Sequence, residues 1–188
     1  MKYFWIIMVF SFFISIGRAY SEPSGMEVFK ISDEPLKGDW LYFNGLSEAE
    51  REALWSYHGS LGDTLGDWAW QWRIGWIRSC TYSNRDYCRR ILKDGLMDKA
   101  VVVRAEAVRR LGDRFEGSGN RQIIELLSRT YGNEKNIRNG KPLFIQFQIL
   151  AAIYQIGGQT FSDFGRELAQ GHAETSGYWT LLTKNQKK

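Results

Sequence analysis

Residues 96–112, LMDKAVVVRAEAVRRLG, have an imperfect copy earlier in the chain, at an offset of 31 residues. Four positions agree between the two copies, and they are Leu65 with Leu96, Asp67 with Asp98, Ala69 with Ala100, and Arg73 with Arg104. A repeat of this period is typical of one supersecondary unit that cannot bury its apolar face alone. It restricts the fold to a stack in which each unit packs mainly on its neighbours.

A degraded third copy follows at an offset of 45 residues. Its matches are Ala107 with Ala152, Val108 with Ile153, Leu111 with Ile156, and Gly112 with Gly157. The third copy has Leu143 and Ile149 where the other copies have aspartate and arginine. A polar insertion around residues 132–140 accounts for most of the longer offset. These departures predict a terminal, capping unit.

Apolar spacing and end signals predict a helix for each stretch between the turns. The predicted helices are Ser47 to about His58, Asp67–Cys80, Ser83 to about Gly95, Lys99–Leu111, Asn120 or Ser118 to Gly132, Pro142–Ile156, and Ser162 to about Gln170. Glycines stop several of them, Gly112 included, and Pro142 occupies the first helical position of the sixth. We expect an all-α fold, a short α-solenoid of about three helical hairpins with N- and C-terminal capping segments.

The pattern resembles the HEAT-repeat family, in particular its bacterial HEAT-like type. The resemblance covers residues 47–158 and is best in residues 92–112. It implies that Asp67, Arg73, Asp98 and Arg104 are structural, because in that family the turn aspartate and the second-helix arginine bond each other and a neighbouring repeat. An arginine can satisfy helix-end carbonyls and a carboxylate at once.

The first nineteen residues have the form of a signal peptide. Lys2 provides a positive start, residues 3–16 form an uncharged apolar run, and Gly17-Arg18-Ala19 offers a cleavage site before Tyr20. The run is shorter than the ~20 residues that span a bilayer, so cleavage is favoured over a membrane anchor or a buried helix. We therefore expect export, periplasmic or secreted, and no membrane span after cleavage.

The remaining chain divides into three parts. Residues 20–46 read as an extended lead-in whose apolar cluster at residues 40–43 covers the first helix, residues 47–158 hold the repeats, and residues 159–188 hold a last helix and a basic tail. Loss of Lys2 and Arg18 with the leader lowers the formal net charge from +4 to +2. That balance does not favour nucleic acid as a partner.

Cys80 and Cys88 are the two cysteines of the chain. In an oxidising compartment their pairing is the default expectation, and two antiparallel helices joined by a short turn bring facing Cα atoms to bonding distance. The alternative is a pair of buried free thiols.

Tryptophan and arginine side chains are the main binding candidates. Trp68, Trp72 and Trp76 recur at helical spacing and are expected in the core, whereas Trp70 projects from another face. Trp70 with Arg73 or Arg78 forms a candidate exposed anchor, because Trp and Arg dominate interface hot spots. Arg104, Arg109, Arg110 and Arg114 extend this surface or form a solvated face.

His58 is the main catalytic candidate, as an acid or base or as a metal ligand with Asp63 or Asp67. The simpler interpretation is a histidine at a helix C-terminus, where the dipole favours a cation. We expect no enzyme activity, cofactor or metal, and we predict an exported scaffold that binds an unknown protein or peptide. The alternatives are a cell-wall or glycan binder that uses exposed tryptophans, and a hydrolase that uses His58.

Overall fold

The computed structural model describes Ile31, Asp33 and residues 42–184, and it is mostly helical. The helices are α1 Tyr42–Gly45, α2 Glu48–Ser60, α3 Trp70–Ser79, α4 Asp86–Leu96, α5 Val101–Arg114, α6 Arg121–Tyr131, α7 Phe144–Gly157, α8 Ser162–Ala169 and α9 Ala173–Lys184. Short 3-10 turns occupy Leu65–Asp67, Glu134–Asn136 and Gly158–Phe161. The predicted all-α class is confirmed. The predicted signal peptide, most of the lead-in and the end of the basic tail lie outside the described residues.

The helices of the three repeat copies, α3, α5 and α7, pack side by side in chain order. Helix α5 lies between α3 and α7, α4 packs on α3 and α5, and α6 packs on α7. The C-terminal helices α8 and α9 pack on α7 and on each other. The interior between these helices is aliphatic, and its fully buried side chains include Ile91, Val103, Leu127, Ile149 and Ile153. Because α5 contacts both neighbours, it is the central element of the core.

Aromatic side chains fill the N-terminal end of the core. The Phe43 ring from α1 stacks on the Trp76 ring with 4.2 Å between centroids, and it meets Trp68 and Trp72 edge-on. The three tryptophans are 1%, 5% and 0% exposed in chain order, so their predicted core position is confirmed. The apolar cluster was expected to cover the first long helix, but the described part of it packs on the tryptophans of α3.

The helix ends predicted from one glycine and one proline are wrong. Gly112 does not end α5, which continues to Arg114; it is buried where α5 meets α7, and a Cβ there would lie 2.8 Å from Gln155 Oε1 and 3.2 Å from Ala152 Cβ. Pro142 does not begin α7, which starts at Phe144. Close helix approach, and not a C-terminal turn, therefore explains the glycine.

The polar insertion contains a small hairpin, with β1 Ile137–Arg138 antiparallel to β2 Lys141–Pro142. Asn139 and Gly140 form its turn with φ values of 53° and 72°, the left-handed geometry that an Asn-Gly pair favours. Asn136, just before the hairpin, is fully buried, and its Nδ2 donates to the carbonyl of Thr130 at 2.7 Å. The segment was predicted as a surface loop, so the burial of Asn136 is a correction.

Helix α9 was not predicted. The sequence indicated a basic tail after the last predicted helix, whereas Ala173–Lys184 is helical and buries Trp179, which is 2% exposed. Thr175 Oγ1 donates to the carbonyls of Ala169 and His172, which ties the start of α9 to the end of α8. In the described part of the chain, no helix combines the length and the apolar character needed to cross a bilayer.

The predicted disulfide is confirmed. Cys80 ends α3, Cys88 lies in the first turn of α4, and their Cα atoms are 4.9 Å apart. Closing so short a loop restricts the unfolded chain and stabilises the fold by roughly 2–3 kcal/mol. The bond fixes the turn between the two helices.

Gly165 tests the docking of α9 on α8. A Cβ at this position would lie 2.1 Å from the ring of Trp179, which is enclosed and has no room to move. We expect Gly165→Ala to lower the free energy of unfolding by about 1–3 kcal/mol. Urea denaturation followed by circular dichroism measures this change.

Gly59→Ala is the matched control. Gly59 also lies inside a helix, but nothing would approach its Cβ within 4 Å. Alanine there should raise stability by up to about 1 kcal/mol through helix propensity. Equal effects of the two substitutions would contradict close packing at Gly165.

Candidate binding surface

Arg73 of α3 connects two copies of the repeat. Its Nη1 donates to the carbonyl of Trp68 at 2.5 Å, within its own copy. Its Nη2 donates to Asp98 Oδ1 at 3.1 Å, and its Nε lies 2.9 Å from Asp98 Oδ2. The Arg73 and Asp98 side chains are only 3% and 4% exposed. This buried ion pair therefore joins α3 to the turn before α5.

Arg104 of α5 makes the same kind of contact one copy later. Its Nη1 donates to the carbonyls of Asp98 and Lys99, and its Nε donates to Asn136 Oδ1 at 2.9 Å. Its Nη2 donates to the carbonyl of Lys135. Burial lowers the pKa of Arg104, against the opposing charge of Asp98. An asparagine in the insertion thus takes the position that an aspartate has in the preceding copy.

The expected pairs within each copy do not form. Asp67 accepts hydrogen bonds from the backbone N–H and the hydroxyl of Thr64, and these bonds lower its pKa. Arg104 contacts the backbone of Asp98 and not its carboxylate. The aspartate of one copy instead receives the arginine of the copy before it. For Arg73, the ion pair explains the arginine without any ligand.

Three other arginines converge on one carboxylate, that of Glu106 in α5. Arg78 Nε donates to Glu106 Oε1 at 2.8 Å, Arg109 Nη2 at 2.8 Å and Arg110 Nε at 2.9 Å. We call these four residues the Glu106 cluster. Arg109 and Arg110 also lie within 4 Å of Asp113. The expected basic face is therefore partly neutralised by Glu106 and Asp113 on the same helix.

The environment of Glu106 has opposing effects on its pKa. Burial raises the pKa, while hydrogen bonds from Arg109, Arg78 and Arg110 lower it, and the net shift is downward. The carboxylate therefore loses its proton more readily in the folded chain than an ordinary glutamate does. Glu106 was missed from the sequence, although its spacing of three and four residues to Arg109 and Arg110 is the signal for such pairs.

Trp70 is the predicted anchor that reaches solvent. It is 43% exposed, at the start of α3, and it lines an open groove of about 290 Å³. The other lining residues are Gln71, which follows Trp70 directly, and Ile74 and Arg78, one and two turns further along the same helix. We call this the Trp70 groove. It combines an indole, an aliphatic side chain and an arginine whose guanidinium is oriented by Glu106.

His58 and Asp63 come together, whereas Asp67 does not join them. His58 Nδ1 lies 2.9 Å from Asp63 Oδ2, and the imidazole packs edge-on against Trp68 with 4.7 Å between centroids. A cavity of about 530 Å³ nearby is lined by Asp63 but not by His58, which is 8% exposed. The arrangement holds the imidazole in the core.

Comparison with known proteins gives no family for this chain. It matches no family model, no curated protein and no solved structure.

Within the described residues, no group of three or more His, Cys, Asp or Glu side chains is placed to hold a metal ion.

Asp98→Ala tests the contact between the copies. Removal of the carboxylate leaves Arg73 buried and charged without its ionic partner, so we expect a loss of about 3 kcal/mol in the free energy of unfolding. The variant also loses the hydrogen bond from the N–H of Ala100 to Asp98 Oδ1. Urea denaturation at neutral pH measures the effect.

Asp67→Ala is the matched control for Asp98→Ala, since Asp67 holds the corresponding position but caps an exposed turn. Its stability loss should be much smaller. Equal losses in the free energy of unfolding for the two variants would show that the buried ion pair stabilises the fold no more than an exposed turn cap does.

Glu106→Gln tests the arginine cluster and its pH dependence. We expect a loss of about 2 kcal/mol at pH 7, because three guanidinium groups lose their shared anion. The folded-state pKa of Glu106 is below the ordinary glutamate value of 4.5, so the stability that its carboxylate contributes is present above that value and is lost as the pH falls through the folded pKa. The difference between wild type and variant should therefore shrink in acid, as urea titrations at several pH values would show.

Glu125→Gln serves as the control for Glu106→Gln. Glu125 accepts from Arg121 on the exposed side of α6, a pair of the kind that contributes about 0.3–0.5 kcal/mol. A stability difference between wild type and Glu106→Gln that stayed constant down to strong acid would contradict the lowered pKa of Glu106.

Proposed function

We propose that this chain is an exported, HEAT-like helical scaffold without enzymatic activity, and that it binds a protein or peptide in the Trp70 groove. One observation carries the proposal. Trp70 is 43% exposed, whereas Trp68, Trp72 and Trp76 of the same segment are at most 5% exposed. A large ring left in water beside an oriented arginine is typical of an interface anchor.

The contacts between copies support the scaffold part of the proposal. Arg73 and Arg104, 31 residues apart, each bond the turn before their own helix and the turn of the next copy. Helices α3, α5 and α7 follow one another in the packing. We propose a short α-solenoid of about three hairpins, with α1 at one end and α8 and α9 at the other as capping segments.

The disulfide supports export. Bonds of this kind persist in oxidising compartments and are rare in reducing ones. The bond between Cys80 and Cys88 is therefore compatible with the leader-like sequence of the first nineteen residues. On the basis of these two features together, we propose a periplasmic or secreted location.

The groove indicates the chemistry of the bound segment. Trp70 and Ile74 offer apolar contact area, and Arg78 offers N–H groups beside them. The Glu106 cluster holds three guanidinium groups on one carboxylate, with Asp113 close to two of them. A segment with an apolar side chain next to a carbonyl or carboxylate acceptor fits this arrangement.

The two alternatives have less support. A glycan site built on several tryptophans would need exposed rings. Trp68, Trp72 and Trp76 are buried in the core, so Trp70 is the one exposed ring of that group. A hydrolase that uses His58 would need its imidazole at a substrate cavity, whereas the ring is buried against Trp68.

Selection of peptides tests the proposed groove. Peptides from a random library would be selected on the immobilised full chain, and the best binders measured by fluorescence anisotropy. We expect Trp70→Ala to weaken binding by about 2 kcal/mol or more, some thirtyfold, because the indole supplies most of the apolar contact.

Tyr82→Ala is the control for this experiment. Tyr82 is 75% exposed, also aromatic, and does not line the groove. It should leave binding unchanged, and circular dichroism would establish that both variants keep the wild-type fold. A selection in which no peptide loses affinity on Trp70→Ala would overturn the assignment of this groove.

A further inference from the structure

A second crevice lies between α4, the C-terminal end of α5 and α6, and it shares no lining residue with the Trp70 groove. Its inner part has a volume of about 60 Å³ and an almost entirely apolar wall. The apolar side chains of this wall are Leu92, Leu111, Phe115, Ile123 and Leu126. Above it the crevice widens to an open space of about 470 Å³.

Cationic side chains surround the apolar interior. They come from all three elements and are Arg89, Lys93, Arg114 and Arg129. Among the described residues, Glu125 is the one carboxylate that lines the crevice, and it already accepts a hydrogen bond from Arg121 at 3.0 Å. The rim therefore carries a clear excess of positive charge over an apolar floor.

Two of the four cations have partners within the chain. Arg89 pairs with Asp86 on α4. Arg114 donates to the carbonyl of Ser83 and to Asn84 Oδ1, which fixes its guanidinium at one end of the crevice. Burial lowers the pKa of Arg114, and the nearby charge of Arg89 lowers it further. The two guanidinium groups thus repel each other, and an anion bound near them would relieve this repulsion.

Lys93 and Arg129 are the other two cations. Within the part of the chain that the structure describes, neither side chain forms an ion pair with a carboxylate. Both lie in the last turn of their helices, where a positive charge interacts favourably with the helix dipole. The interaction with the helix dipole explains why these two side chains are positively charged. It does not explain why they lie beside an apolar pocket.

We propose that this crevice binds an acidic peptide segment, which inserts one apolar side chain into the inner pocket and places carboxylates beside the cations. The inner volume fits one side chain and not a long alkyl chain. The cations come from three elements, so they match several carboxylates along a peptide better than the single head group of a fatty acid. Such charge complementarity gives specificity and fast association.

Anisotropy titration with labelled heptapeptides tests the proposal. The peptides carry leucine, isoleucine, phenylalanine or methionine at the centre and aspartate or glutamate at the other positions. We expect saturable binding of at least one peptide below about 1 mM at low ionic strength, and weaker binding at about 150 mM salt. Replacement of the central residue by serine should weaken binding about tenfold.

Matched double substitutions locate the binding site. Lys93→Gln with Arg129→Gln removes two charges from the rim and should raise the Kd at least about tenfold. Arg138→Gln with Lys141→Gln also removes one arginine and one lysine charge, but from the exposed hairpin. It should change the Kd less than about twofold. Trp70→Ala should have no effect, which separates this site from the Trp70 groove.

Several outcomes would overturn the proposal. One is the absence of saturable binding by any of the peptides, and another is equal weakening by the two double substitutions. Equal affinity for the peptides with serine at the centre would remove the apolar pocket from the interaction. Displacement of the peptides by dodecanoate, with tighter binding of dodecanoate itself, would assign the crevice to a single-headed amphiphile.

Discussion

The buried ion pair between Arg73 and Asp98 is the contact on which the order of the helices depends. An unpaired charge in the interior costs several kcal/mol, so each of these groups requires the other in place. The arginine also satisfies the carbonyl of Trp68 at the start of its own helix. One side chain thereby fixes the start of α3 and the position of the next copy. Arg104 repeats the arrangement with Asn136, which explains why a polar insertion has a fully buried asparagine.

This use of arginine also determines what is left for binding. Arg73 and Arg104 are buried and bond to partners inside the fold. Arg78, Arg109 and Arg110 share the carboxylate of Glu106. The surface near α3 is therefore a tryptophan next to arginines that already share the carboxylates of Glu106 and Asp113. Positive charge without matching carboxylates lies instead around the crevice between α4 and α6. The two proposed sites consequently differ in chemistry, one mainly aromatic and one mainly electrostatic.

Local signals were read correctly wherever one interaction dominated. The helix predicted from Ser47 begins there, with a capping box formed by Ser47 and Glu50, and Asn120 caps α6. Signals with two possible causes were misread. A glycine can end a helix or permit the close approach of another helix. Gly112 has the second role, because α7 packs closely against it. Proline both starts helices and ends strands, and at Pro142 the hairpin decided. The Asn139-Gly140 pair was the overlooked evidence for that hairpin.

The sequence by itself determined the helical class, the core positions of the tryptophans at helical spacing, the exposure of Trp70 and the pairing of Cys80 with Cys88, because each follows from short-range periodicity or from chain connectivity. Only the tertiary structure decided which partner each arginine meets. A guanidinium on a helix can reach its own turn, the next copy or a neighbour on the same face, and the sequence spacing is compatible with all three. Packing of α3 against α5 selected Asp98 for Arg73 and Glu106 for Arg78. The apolar crevice likewise exists only because α4, α5 and α6 converge there.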